Sequence, residues 1–363
     1  MNYRLSQILS TTTLTDNRTD SYDINVSDPI SRITIMLRGT NADSVPDGHP
    51  AKGLSKIEIV DGSDVLFSLS GEETQAVDFY DTGITPLNVV SFVSANIWTG
   101  VFNINFGRWL WDPLLALDPN KFKNLQLKVT HYCSGYAGSS TTNTTTSLII
   151  HAHCFDEKKV SPRGFLMNKE IYAYTIGANG SYEYIDLPTD YIIRRMMIQA
   201  LSVGYDVGTV VNAFKISEDN DKRIFIEESM SAYIKLVTPE YGKWQEALVC
   251  DVTSSAVAHY TAVDYEYSLG HLGTVDSDEN IQLNAYPLGG RMYLIGQTGS
   301  IEAVLTVSGY APLGCVPIFV GQQSIIEDWY DVRRVGSLVA RLKAGSLGGT
   351  ATARLSVQQL RTY

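Results

Sequence analysis

From Ser21 onward, apolar and polar residues alternate with a period of two, the pattern of strands that bury one face. Ile33, Ile35 and Leu37 fall on one side, with Arg32, Thr34 and Met36 between them. Ile57 and Ile59 run into Asp61-Gly62, a turn signal of the kind that closes hairpins, and Val65, Phe67 and Leu69 mark the returning strand. Phe102–Phe106, Leu125–Val129 and Leu148–Ala152 predict further strands. Helices are short by comparison. Ser70 predicts an N-cap for a helix over Gly71–Tyr80, with Glu72 and Glu73 where the helix dipole favours acids, and Gly83 and Pro86 end it. Its counterpart in the second half is predicted over Ser231–Leu236, after a strand over Arg223–Glu227. Strands at this spacing, with helices confined to the connections, predict an all-β chain built of sandwiches rather than βαβ units.

The second half repeats the first. Ile24 and Val26 answer to Ile185 and Leu187, Ile30–Ile35 to Ile193–Ile198, Ile57–Ser63 to Phe214–Asn220, and Asp118–Val129 to Asp331–Leu342. Each copy closes on one more strand-like run, Leu148–Phe155 and Leu355–Leu360. The matched pieces are of strand length, so the repeated unit is a whole β-domain; the competing reading is two unrelated sandwiches with coincident patterns. The offset is 157 between Ile57 and Phe214 but 213 between Asp118 and Asp331, which leaves about 56 extra residues in the second copy. The expected organisation is a polar arm over residues 1–18, a first sandwich over 19–156, a linker over 157–168, and a second sandwich over 169–363. The insertion is expected at about 238–324, a stretch rich in aromatics such as Tyr241, Trp244, Tyr260 and Tyr293. It is expected to pack around a core of its own and to project from one end of its sandwich.

At 363 residues the chain accommodates two domains with buried cores. No run approaches the roughly 20 apolar residues of a membrane span, and the first ten residues lack the apolar core of a secretory signal, which predicts a cytosolic product. Cys133, Cys154, Cys250 and Cys315 have no paired spacing, so neither a disulfide framework nor a zinc site is indicated. The net charge of −11 opposes phosphate binding and argues against direct sequence-specific contact with nucleic acid. Arg4 and Arg18 are the only basic residues of the arm, too few for strong genome binding. Charged residues make up only 18% of the chain while tyrosine occurs 21 times, a balance that suits surfaces buried against partners. It equally suits a tyrosine-rich β-protein with no partner.

No residues qualify as catalytic, cofactor-binding or metal-binding. His151 and His153 share a strand face next to Cys154, but no third ligand is suggested nearby, and a solvent- or interface-facing strand explains them. Gly135–Ser139 lacks the order of a nucleophile elbow, and Gly289-Gly290-Arg291 and Gly348-Gly349 read as tight turns. Asp61, Asp64, Asp112 and Asp118 sit beside turn residues, where capping is their expected task. Trp109 and Trp111 form either a sugar-stacking platform or an anchor between sheet and loop. Arg32, Arg38, Arg108, Arg194 and Arg195 lie at predicted strand ends and are candidates for subunit contacts.

Two sandwiches in series, a polar arm and no catalytic constellation resemble the double jelly-roll major capsid proteins of tailless icosahedral viruses, in particular those of prokaryotes in the adenovirus-like lineage. The segments Ile59–Gly71, Phe106–Pro113 and Arg333–Leu338 carry the likeness in wording. The resemblance implies two consecutive jelly-roll β-sandwiches in a structural virion protein, with no enzyme activity and no cofactor. It implies a homotrimer that forms a pseudo-hexagonal capsomer, located in the virion and assembled in the host cytoplasm. Neighbouring capsomers, minor capsid or vertex proteins and an internal membrane are the partners it suggests. The alternatives are a receptor- or carbohydrate-binding spike or lectin-like β-sandwich, and a two-domain hydrolase with convergent carboxylates.

Overall fold

The computed structural model describes residues 1–15, 17–41, 46, 48–132, 146–200, 202–252, 257–263, 268–274, 281–283, 290–296, 301–349 and 351–363. The first unit comprises β1 (Tyr3–Thr13), β2 (Arg18–Asp23), β3 (Ile30–Thr40), β4 (Leu54–Asp61), β5 (Asp64–Leu69), helix α1 (Gly71–Thr82), β6 (Val90–Phe92), β7 (Ile97–Asn105), β8 (Leu125–His131) and β9 (Thr146–Phe155). Its two sheets have the orders β1-β9-β3-β7 and β2-β8-β4-β5. Apart from the β4–β5 hairpin, consecutive strands of these sheets lie in opposite layers, which is jelly-roll winding. The period-two residues meet between the layers: Ile33, Ile35 and Leu37 from β3 and Ile150 from β9 pack with Ile57 and Ile59 from β4 and Leu127 and Val129 from β8.

The second unit begins with β10 (Gly164–Thr175), β11 (Tyr182–Asp186), β12 (Ile192–Gln199), a one-turn helix α2 (Val207–Val210), β13 (Val211–Glu218), β14 (Arg223–Ser229) and α3 (Met230–Val237). There follow β15 (Trp244–Val252), β16 (Val257–Tyr260), β17 (Ser268–Thr274), β18 (Ile281–Leu283), β19 (Arg291–Gly296) and β20 (Ile301–Gly309), and then β21 (Cys315–Phe319), β22 (Leu338–Ala344) and β23 (Thr352–Thr362). The sheets β10-β23-β12-β21 and β11-β22-β13-β14 reproduce the two strand orders of the first unit position by position. Three of the four matched segments fall on equivalent strands; the first is out of step by two residues, because Ile24 N donates to Leu125 O as Leu187 N donates to Leu338 O, which makes Ile24 the equivalent of Leu187 rather than of Ile185. The likeness extends to detail: the β4–β5 and β13–β14 hairpins both break register at the same step, after Ile59 and after Ile216. Asp118 and Asp331 each cap the short 3-10 turn that leads into β8 and β22.

The units are joined edge to edge. β5 and β10 run in parallel, with Phe67 beside Asn168 and Ser68 beside Lys169, so that β2-β8-β4-β5 and β10-β23-β12-β21 form one eight-stranded sheet.

Three boundaries differ from those expected. The expected arm is instead the first strand of the first sandwich: β1 pairs antiparallel with β9, from Tyr3 beside Phe155 to Thr13 beside Ser147. Residues 164–168 belong to β10 rather than to a linker. The insertion ends before residue 315, because β21 is an integral strand of the second sandwich.

Among the described residues, the insertion packs into the core of the first unit rather than around one of its own. β15 and β20 lie in a sheet of order β17-β20-β15-β6, to which the first unit contributes β6, parallel to β15 with Val90 beside Leu248. Trp244, Leu248, Leu305 and Val307 share one apolar cluster with the first jelly roll.

Helix α1 starts where expected and continues two residues further. Ser70 Oγ accepts from Glu73 N at 3.2 Å and Glu73 Oε2 accepts from Ser70 N at 3.0 Å, a reciprocal cap, while Gly83 takes the left-handed conformation at the far end. Its apolar residues do not form a single stripe; Glu73, Thr74, Gln75 and Asp78 are as buried as Ala76 and Phe79. The helix is enclosed on several sides, against β7, the turn at Pro50–Gly53, and β21 of the second unit.

Candidate assembly surfaces

The outer face of β9 presents His151 and His153, both half-buried. Burial, with Arg32 and His151 nearby, holds the His153 ring below its usual pKa, and its Nε2 lies 3.3 Å from Thr34 Oγ1. Among the described residues no three His, Cys, Asp or Glu side chains converge as metal ligands would. Cys154 points into the core, where burial pushes its thiol to about 11.

The carboxylates divide. Asp61 accepts from the backbone N–H groups of Lys123 and Asn124, Asp118 from Asn120, and Asp112 from Arg108 and Leu114. Asp64 does not cap its turn: it receives Arg361, almost 300 residues away, through Nη1 at 3.0 Å and Nη2 at 2.5 Å. Trp109 is exposed with the Arg108 guanidinium 4.3 Å above its ring. Trp111, at φ 70°, packs 4.4 Å from Tyr3 and edge-on against Phe155, so Trp111 anchors its loop to β1 and β9 and forms no flat double platform with Trp109. Gly290 and Gly349 have positive φ, as turns require. Residues 135–139 and Gly289 lie outside the described residues.

Four of the five arginines expected at subunit contacts face inward instead. Arg32 reaches Asn105 and Asp78, and Arg108 forks onto the fully buried Asp112 with Nε at 2.7 Å and Nη2 at 3.0 Å. Arg194 and Arg195 converge on Asp81 at the end of α1, at 2.5 and 2.9 Å, and Arg194 also donates to Gln358 Oε1 at 2.7 Å. Arg38 alone of the five stays exposed. The sequence held a sign of this: Arg194-Arg195 is flanked by Ile192, Ile193, Met196 and Met197, a run without alternation that marks a strand covered on both faces.

The junction between units thus combines buried polar contacts with apolar packing, in which Phe165, Met167 and Met197 join the core of the first unit. Tyr80 Oη donates to Cys315 O at 3.0 Å, and Tyr363 Oη donates to Ala116 O at 2.7 Å. Burial raises Glu73 to about 7, helped by Glu170 and opposed by its hydrogen bonds to Ser70 and by Arg354. A second buried pair ties the insertion to the first unit. His49 Nε2 lies 3.0 Å from Glu246 Oε2, and Ala262 N donates to Glu246 Oε1 at 2.7 Å.

What the fold leaves open is informative. Among the described residues β1 pairs only with β9, and β14 only with β13. The loop after α1 exposes Ile84 and Leu87, the latter at 84%, and α3 exposes Leu236. The outer face of β11-β22-β13-β14 carries Tyr182 and Tyr184, each with a cation over its ring, Lys343 and Arg341. Unpaired strand edges and apolar loops of this kind are surfaces that proteins normally cover.

Two jelly rolls of identical strand order, fused through one sheet, define the double jelly-roll fold of the viral major capsid proteins. The whole chain is similar to solved structures of that kind. The STIV MCP, from Sulfolobus turreted icosahedral virus, is 12% identical at a TM-score of 0.59, covering 99% of this chain and 96% of its own. The major capsid protein of bacteriophage PM2 is 9% identical at 0.54, covering 99% and 98%. A chain of the PBCV-1 virus capsid is 12% identical at 0.54, covering 99% and 94%. Comparison of the sequence with protein-family models and with curated proteins finds no match.

Proposed function

We propose that this chain is a major capsid protein, a structural component of an icosahedral virion that assembles as homotrimeric, pseudo-hexagonal capsomers. The observation that carries the reading is the strand order repeated within one chain, in a fold shared from end to end with capsid proteins. Two similar domains per chain, taken three times, place six similar units around one axis, a shape that tiles a facet. Side chains at the intramolecular junction are consumed in holding the two units at a set angle, and the role requires no catalytic group. Neighbouring capsomers are the main partners, minor capsid or vertex proteins the further ones, and assembly takes place in the host cytoplasm. The insertion stands on the outer face of the capsomer. Light scattering after gel filtration tests the reading: a particle of three times the 40.0 kDa chain is expected, and a monomer at micromolar concentration would overturn it.

A further inference from the structure

The contact inside the chain specifies a contact between chains. The hairpins β4–β5 and β13–β14 share a register: Ile57 faces Leu69 as Phe214 faces Glu228, and Asp61 faces Asp64 as Glu218 faces Arg223. Asp64 and Arg223 are thus equivalent, as are Phe67 and Ile226. Likewise Ile35 faces Ile150 on β9 as Ile198 faces Leu355 on β23, which makes Asp156 the equivalent of Arg361. Leu5 faces His153 as Asn168 faces Gln358, so Leu5 is the equivalent of Asn168.

Within the chain, the free edge of β5 is covered by β10, and Arg361 clamps Asp64 across that seam. The equivalent edges, β14 and β1, are uncovered in the single chain among the described residues. At the equivalents of the clamp, Arg223 and Asp156 stand with the charges exchanged. Like charges there would have made the contact repulsive. Arg223 is available, with its side chain 68% exposed and a 3.3 Å contact to Glu218 as its partner, and Leu5 and Ile224 beside the seam are exposed apolar side chains.

We propose that a second copy of this chain covers these edges: β14 of one copy lies parallel to β1 of the next, Ile226 beside Leu5 and Glu227 beside Ser6, with Arg223 bonded to Asp156 across the seam. The contact joins different surfaces of the two copies, so it is head-to-tail, the kind of contact that makes a ring when its rotation closes. Repeating the intramolecular geometry three times gives the six-unit ring of the capsomer, so the inference rests on the capsid reading. Pairing strand edges supplies main-chain hydrogen bonds, and the charge pair sets the register.

The test uses the full chain with Arg223→Asp and Asp156→Arg, singly and together, followed by sedimentation velocity. Each single change should raise the concentration at half-dissociation about tenfold or more, and the double change should restore it to within about threefold of the unmodified protein. Circular dichroism checks folding. Because a variant that fails to fold reports nothing, a second arm combines Leu5→Cys with Ile226→Cys, which the proposed pairing places on adjacent strands, under oxidation. Covalent trimers on a non-reducing denaturing gel support the seam. An unmodified trimer with neither crosslinks nor rescue overturns the seam and leaves the capsid reading standing. An unmodified monomer overturns both.

Discussion

Arg194 of the second jelly roll is bonded to Asp81 of the first, Nη1 to Oδ1 at 2.5 Å, and neither side chain reaches solvent. Arg195 shares the same carboxylate oxygen, so one acid pairs with two guanidinium groups at the seam between units. Asp81 sits in the last turn of α1, an end where the helix dipole disfavours an acid, and the two cations offset that cost.

Asp81→Ala should lower stability by about 3–5 kcal/mol, because it strands two buried cations rather than merely removing a contact. Urea unfolding followed by tryptophan fluorescence measures it. A loss below about 1 kcal/mol would mean that water reaches Arg194 and Arg195, contrary to their burial at the seam.

Glu73 predicts a pH dependence. Burial raises its pKa to about 7, above an unfolded value of about 4.3. The folded state therefore holds this proton more tightly. The resulting stability is fully present below about pH 4 and is lost as pH rises through about 7. Glu73→Gln keeps an oxygen for Ser70 N–H without the charge, so it should flatten the decline between pH 5 and 8. Equal slopes in the two proteins, by thermal melts across that range, would refute the assignment.

The pair His49 and Glu246 anchors the insertion. Burial disfavours the Glu246 carboxylate, but the His49 ring and the Ala262 N–H outweigh it and hold its pKa below the ordinary range. Its contribution is therefore present at neutral pH and lost as pH falls through that lowered value. His49→Leu should cost about 3 kcal/mol by leaving the acid buried without its partner. Hydrogen exchange in β15 should accelerate before that in β3, since the damage lies at the insertion. Uniform acceleration would indicate that the two share one unfolding unit.

Removal of residues 1–13 should destabilise the first jelly roll itself. The loss uncovers β9 along its whole length and strips Ile8 and Leu9 from the core. Circular dichroism with thermal melting distinguishes this from an arm, whose deletion would leave the transition in place.

Alternation alone located β3, β4, β7, β8 and β9, because each buries one face against the opposite sheet and exposes the other. Ser70, Glu73 and Gly83 marked α1 because capping is local chemistry, complete within a few residues. The repeat was visible for the same reason: equivalent strands carry the same inward positions. β1 escaped notice because an edge strand has little to bury; its side chains are half-buried or exposed throughout, and Thr11, Thr12 and Thr13 read as loop. Asp64, Arg194 and Arg195 were misassigned because their partners lie more than a hundred residues away, and a side chain's own neighbours do not show what meets it after folding. That Trp244 and Leu248 join the core of the first jelly roll was equally hidden, since they look apolar whichever unit they cover. Periodicity along a chain reports that a face is buried. Which surface buries it is decided by packing between distant segments.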